Sequence, residues 1–325
     1  MFFLFLLLHF LLNGYSFTID FPYGVNFMAK ISKINLLKLH EEEKQELQFL
    51  FKTTPVLVFE NQNLTPKQHF QVSTYFDKNH LLDIMHPFKE TMVTDAPQVA
   101  IRGRGTINDF GLENALIRNS KAFKYNELWH QDLVGIKNVL PNVVSSMYMI
   151  KTPEKGGSTK FASLENAYEN LPLLHKHIYE NTIAIYYSKN IFPEFDFTGY
   201  GRIDKFWEKE SEEEYIKNRV ITPLVIYPDE SSTKKSIMLT PNRLFKFKDI
   251  SPFDSHERMR HLMKNYVLVN DNVGNLDYKE KDLVIFNNRK VIHTSTPTEQ
   301  YEEDRIMSLL FLGTKTPMKF LHNSL

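Results

Sequence analysis

The sequence predicts a mainly β protein, with a sandwich-type core and helices on its flanks. Two observations carry that prediction. From about Pro97 onward, short β-rich runs recur at 98–101, 143–150, 182–187, 223–227, 236–239, 282–286 and 306–312, separated by clusters of Gly, Pro, Asn and Asp. That spacing of strand and turn signals belongs to a β-sandwich or barrel. The chain also has no internal repeat and no long low-complexity stretch, which sets aside solenoids and propellers.

The elements follow in order. Residues 1–12 read MFFLFLLLHFLL, too short to span a bilayer as a helix, which takes about 20 apolar residues. The length suits the apolar part of a secretory signal, and the small residues Gly14 and Ser16 follow it. No basic residue precedes it, Lys30 being the first of the chain, so a greasy segment packed on the domain is the competing reading. Residues 1–16 are set apart as signal-like, which favours the secretory pathway over the cytoplasm and makes this segment, if uncleaved, the one expected membrane contact. The sequon Asn63-Leu64-Thr65 matters only in that compartment, and Pro66 just after it weakens the signal. Residues 17–325 are expected to form one domain.

Residues 31–52 space Leu, Ile and Phe three and four apart around an acidic cluster, predicting an amphipathic helix that Pro55 stops. Val56-Leu57-Val58-Phe59 then reads as a short buried strand. Thr65 and Pro66 mark an N-cap and first helical position, opening a helix over 67–77. Two more helices are expected within the β region, at 164–176 with Ala167, Leu171 and Leu174 as its apolar positions, and at 254–265. The charged and aromatic stretch 195–217 reads as an insertion or lid.

With 42% hydrophobic and 24% charged residues, a chain of this length can bury a sizeable core. Lys+Arg and Asp+Glu both number 39, so no whole-protein field draws it to nucleic acid or an anionic membrane. The absence of cysteine excludes disulfides, zinc–thiolate sites, iron–sulfur clusters and a thiol nucleophile. A metal site would therefore use His, Asp and Glu, which suit iron, manganese or zinc.

Trp129-His130-Gln131-Asp132 is the first candidate for such a site. On extended backbone, residues two apart share a face, so His130 and Asp132 can meet one ion. Such a pair also arises readily by chance in a chain with 12 His. His293 ends the apolar run 291–293, after the polar break Asn287-Asn288-Arg289, and is a candidate third ligand. Two imidazoles and one carboxylate leave three open positions on octahedral iron(II), enough for a bidentate co-substrate and O2. Arg305 shares a strand face with Met307, Leu309 and Phe311. A guanidinium among apolar neighbours is costly unless an anion meets it, either a substrate carboxylate or an internal acid.

Together these segments resemble the taurine/2,4-D dioxygenase family of iron- and 2-oxoglutarate-dependent oxygenases, over about residues 53–313. The likeness runs through TTPVLVFENQNLTPKQHF, WHQD, Pro141, SSMYMIKTPEKGGSTKFASLENAYENLP, DLVIFNNRKVIHTS and DRIMSLLFLGT, in that order. It implies a double-stranded β-helix (jelly roll), with iron(II) held by His130, Asp132 and His293. It also implies that Arg305, twelve residues past His293, clamps the distal carboxylate of 2-oxoglutarate with help from the Thr159 hydroxyl. The implied reaction takes O2 and a small organic substrate, oxidises a C–H bond and releases succinate and CO2. Two positions depart from the family pattern. Leu309 stands where several members carry a second Arg, and Asn287 stands where Asp is common. Substrate contacts are then sought at Arg102, Arg104 or the insertion near Tyr200 and Trp207. Two other functions compete: a catalytically inactive relative that binds a ligand or partner, and a zinc hydrolase on a similar sandwich. The complete residue set weighs against the first, and Arg305 and Thr159 have no evident task in the second.

Overall fold

The computed structural model describes residues 17–110, 112–113, 115–118, 128–188, 211–296 and 304–321. The expected segment 1–16, Tyr200 and Trp207 lie outside them, as does most of the stretch 195–217. Its described end forms the helix Glu212–Asn218.

The centre of the fold is an antiparallel run of Val56–Phe59, Leu283–Asn287, Val144–Lys151, Arg305–Thr314 and Ala96–Ile107, in that spatial order. Val56–Phe59 and Leu283–Asn287 read as nearly unbroken apolar runs because both of their faces are covered. Leu57, Phe59, Val144, Tyr148, Leu283 and Ile285 point one way and pack with Leu47, Leu50, Phe51 and Val72 of two helices, Glu41–Thr53 and Pro66–Thr74. Val56, Val58, Met147, Met149, Val284, Phe286 and Met307 point the other way, against Phe161, Leu276 and Val291. Those three come from a smaller antiparallel sheet in which Thr159–Ser163 lies between Val273–Leu276 and Val291–Ser295. The two sheets face each other across an apolar core, which is the sandwich the strand spacing predicts. Behind the small sheet, Ala162 and Ile292 join a further core with Leu224, Leu239 and the helices Leu164–Glu169 and Pro252–Leu262.

Two helix expectations need correction. The stretch 31–52 is not one helix. Its start belongs to the strand Met28–Ser32, parallel to Val56–Phe59, and the helix is Glu41–Thr53. The Glu43 carboxylate accepts a hydrogen bond from the His40 backbone N–H at 3.0 Å, starting the helix there. Similarly, 164–176 divides into Leu164–Glu169 and Leu173–Glu180 around Pro172, leaving Leu171 buried and Leu174 exposed. The Thr65 cap is as expected. The Gln68 N–H donates to its hydroxyl at 3.3 Å and the Thr65 N–H donates to Gln68 Oε1 at 2.9 Å, although that helix ends at Thr74. Among the described residues, no helix is long and apolar enough to cross a membrane.

One buried group makes stability depend on pH. His69 is fully buried, with its ring nitrogens 2.9 Å from Ser308 Oγ and 2.7 Å from Ser146 Oγ. Burial pushes its pKa down from 6.5 to about 3. Below pH 6.5 the unfolded chain takes up a proton that the folded one refuses. The stability held above pH 6.5 is therefore lost on acidification towards pH 3, by up to about 1.4 kcal/mol per pH unit. Urea midpoints between pH 7 and 4.5 should fall less steeply in His69→Gln than in the wild type, by the equivalent of one proton. Equal slopes would contradict this origin.

Candidate active site

The site is built around a backbone bridge. The N–H of His130 donates to the His293 carbonyl at 2.9 Å, and the N–H of His293 donates to the His130 carbonyl at 3.0 Å. This pairing adds His130 to the edge of the small sheet and sets the two imidazole rings 4.3 Å apart. Gln131 points away and is tied down. Its N–H donates to Thr240 Oγ1 at 2.9 Å, its side-chain amide donates to the Asn288 carbonyl at 2.6 Å, and its Oε1 accepts from the Leu239 N–H at 2.7 Å. With Gln131 turned into the protein interior, alternation puts His130 and Asp132 on the opposite side.

Two of the three candidate ligands, His130 and Asp132, are oriented by hydrogen bonds with their neighbours. Asn288 grips the Asp132 backbone from both sides, accepting from its N–H at 2.7 Å and donating to its carbonyl at 2.8 Å. The Ser145 hydroxyl donates to Asp132 Oδ2 at 2.7 Å, which leaves Oδ1 free. His130 Nδ1 lies 2.8 Å from the Leu128 carbonyl, so it carries the proton and the Nε2 lone pair is available. Asp132 Oδ1 is 3.6 Å from His130 Nε2 and 3.9 Å from His293 Nε2. One ligand atom from each of the three residues lies within 4.8 Å of the others, so the group could hold a metal ion.

The electrostatics favour a cation. Burial raises the pKa of Asp132, with His130, the Ser145 hydrogen bond and Arg243 pulling it back. Burial, reinforced by His130, holds His293 well below its ordinary value, in the neutral form that binds metals.

The facing sheet contributes a buried cation. Arg305 Nε donates to the Gly157 carbonyl at 2.7 Å. Gly157 has φ +70°, and a Cβ there would come within 2.8 Å of Arg305 Cδ, so both backbone and space require glycine. Arg305 Nη2 is buried without a partner. Thr159 is buried on the same inward face as Phe161, paired with Leu276 and Ser295. The guanidinium carbon lies 5.8 Å from the ring centre of Tyr278, whose hydroxyl is likewise buried and lacks a formed hydrogen bond, with the Thr159 hydroxyl beside it. These orphaned donors fit a carboxylate.

Residues 20–310 match the model of the taurine catabolism dioxygenase TauD, TfdA family. The chain belongs to this family. An alkylsulfatase of Acinetobacter baylyi is 31% identical over 172 residues, covering 51% of this chain and 50% of that protein, so the aligned part spans about half the relative's length. An alpha-ketoglutarate-dependent xanthine dioxygenase of Schizosaccharomyces pombe is 23% identical, covering 90% of this chain and 86% of its own. Among solved structures, a taurine dioxygenase from Burkholderia xenovorans superposes with a TM-score of 0.68 at 18% identity, covering 95% of this chain and 96% of that one. AAD-2 in complex with Mn(II) and N-oxalylglycine gives 0.65 at 19% identity, covering 93% and 99%. The fold is thus the expected jelly roll, and this TauD/TfdA member is an iron(II)- and 2-oxoglutarate-dependent dioxygenase acting with O2 on a small molecule.

The remaining sequence-predicted residues divide. Arg102 pairs in register with Met307 and so faces inward. It stacks on Phe88 at 3.8 Å, and burial brings its pKa down to about 10. Arg104 pairs with Arg305 but is exposed. Leu309 packs with the inward apolar cluster, and Asn287 Oδ1 accepts from the Arg289 N–H at 3.1 Å, holding the turn. Sequence reasoning missed Ser145, Asn288, Arg243 and Tyr278. Ser145 alone had a usable signal, since it lies on a strand already predicted.

Proposed function

We propose that the chain oxidises a C–H bond of a small organic substrate, with hydroxylation as the default outcome. In this reading His130, Asp132 and His293 hold iron(II), while Arg305 and Thr159 receive the distal carboxylate of 2-oxoglutarate. One observation carries it: a His–Asp–His donor set and a buried arginine with an unpartnered nitrogen belong to facing sheets of one sandwich. When bound, iron and 2-oxoglutarate supply O2 activation coupled to decarboxylation, giving succinate and CO2.

The protein's own contribution is position and dryness. Ser145 and Asn288 fix the Asp132 carboxylate, and the Leu128 carbonyl fixes the His130 tautomer. Phe161 and Phe286 pack on the His293 ring with centroids at 5.9 and 4.9 Å, excluding water from that side. Met307 and Leu309 belong to the apolar cluster between the sheets, and Arg102, paired with Met307, offers an inward charge to an acidic group on the substrate.

Anaerobic titration with iron(II) and then 2-oxoglutarate tests the assignment. The wild type should bind one iron per chain and develop the weak visible charge-transfer band of the chelate. Arg305→Ala should keep the iron and weaken 2-oxoglutarate binding by at least about tenfold, the loss expected for a charged hydrogen-bonded pair. A wild type that binds no iron at stoichiometric metal would sink the proposal and leave a ligand-binding relative.

A further inference from the structure

We propose that the Tyr278 hydroxyl is a third donor to the distal carboxylate of 2-oxoglutarate, beside Arg305 and Thr159. This rests on the reading of Arg305 and Thr159 as the co-substrate site. The position follows from strand register. Leu276 pairs with Thr159 and faces the inward core. Side chains two apart on extended backbone share a face, so Tyr278 follows on that face, one step beyond Thr159 towards the Gly157 turn. Arg305 anchors its Nε on that same turn.

Two buried donors here lack acceptors. Arg305 Nη2 has no partner, and Tyr278 Oη has no formed hydrogen bond although the Thr159 hydroxyl lies beside it. An unsatisfied buried donor is destabilising, and two side by side are rare unless something accepts from both. Arg305, Thr159 and Tyr278 offer donors of different reach around one place, and a carboxylate is an acceptor with two oxygens and about four lone-pair sites. Burial raises the phenol pKa to about 12, with Arg305 and Thr159 opposing. The hydroxyl therefore keeps its proton and stays a donor through the working pH range. The half-buried ring packs against the inward apolar cluster, which holds the hydroxyl in place.

Tyr278→Phe removes this one oxygen and nothing else. Three readouts on the manganese-loaded protein without O2 decide its role: Tm without co-substrate, Kd for 2-oxoglutarate, and Kd for 2-oxobutyrate, which lacks the distal carboxylate. The expected result is a Tm no lower than the wild type, since an unsatisfied group has been removed. It includes a 2-oxoglutarate affinity weaker by about 10- to 100-fold, and 2-oxobutyrate binding unchanged. Equal 2-oxoglutarate affinity in the variant and the wild type overturns the proposal. An equal loss towards both 2-oxo acids also overturns it, because the effect would not depend on the distal carboxylate. A wild type that binds manganese but no 2-oxoglutarate overturns the co-substrate reading itself, and that result is visible without the variant.

Discussion

Asp132→Ala is expected to abolish stoichiometric iron binding and to lower succinate release by at least about a thousandfold, while the metal-free protein stays folded. Asp132 supplies the one carboxylate of the donor set, and its Oδ1 faces both imidazoles. Without it two neutral rings remain, a poor site for a hard divalent ion. Stability moves differently. The carboxylate is 6% exposed and burial raises its pKa, so ionising it in the metal-free protein is unfavourable. Its removal costs one Ser145 hydrogen bond and relieves that desolvation, so the metal-free Tm should change little. The iron-dependent rise in Tm should vanish, a loss of about 2.7 kcal/mol at iron one-hundredfold above Kd. Metal analysis with thermal melts, with and without iron, checks both halves. One iron per chain with normal turnover in the variant would refute the assignment. The raised Asp132 pKa also sets a direction with pH. Protons compete with iron for the carboxylate, so affinity falls on acidification from a higher pH than an ordinary aspartate would give.

How much of this was legible in the sequence depends on the reach of each contact. His130 and Asp132 could be read because a period of two is local, and Arg305 because a charge on an apolar strand face is conspicuous. The strands were legible for the same reason, as short apolar runs between turn residues. Asn288 was legible only as a polar break. Its grip on Asp132 joins positions 156 residues apart, and nothing near Asn288 announces it. Tyr278 is similar, since its place beside Arg305 exists only once Leu276 is registered against Thr159. The missed strand Met28–Ser32 has another cause. Its buried Ile31 continues the three-and-four spacing of the helix Glu41–Thr53, so two elements with different partners looked like one amphipathic stripe. Sheet order was beyond local pattern altogether, because Val144–Lys151 lies between strands that begin at Leu283 and Arg305.

Arg289→Ala is expected to cost about 3–5 kcal/mol of stability, lowering Tm by about 6–20 °C. Arg289 is fully buried in the turn between Leu283–Asn287 and Val291–Ser295, the segment that also carries Asn288. Its three guanidinium nitrogens donate to the carbonyls of Pro141, Pro228 and Thr316, each at 2.8 Å. Burial lowers its pKa to about 10, opposed by Asp77 and Asp229, so it remains charged near neutral pH. Alanine would strand three carbonyls and leave a cavity of arginine size. Lysine would restore the charge but not the planar fork, since one ammonium cannot reach three acceptors set around a guanidinium. Arg289→Lys should therefore fall between alanine and wild type in urea midpoint. Any Arg289→Ala protein that folds should also bind iron more weakly, because the turn that aims Asn288 at the Asp132 backbone has lost its anchor. A variant with an unchanged midpoint would mean that the turn's other hydrogen bonds, chiefly those of Asn287 and Asn288 and of Ser236 to the Arg289 carbonyl, hold it without the guanidinium. The metal site would then owe its geometry to those two asparagines and not to the arginine between the strands.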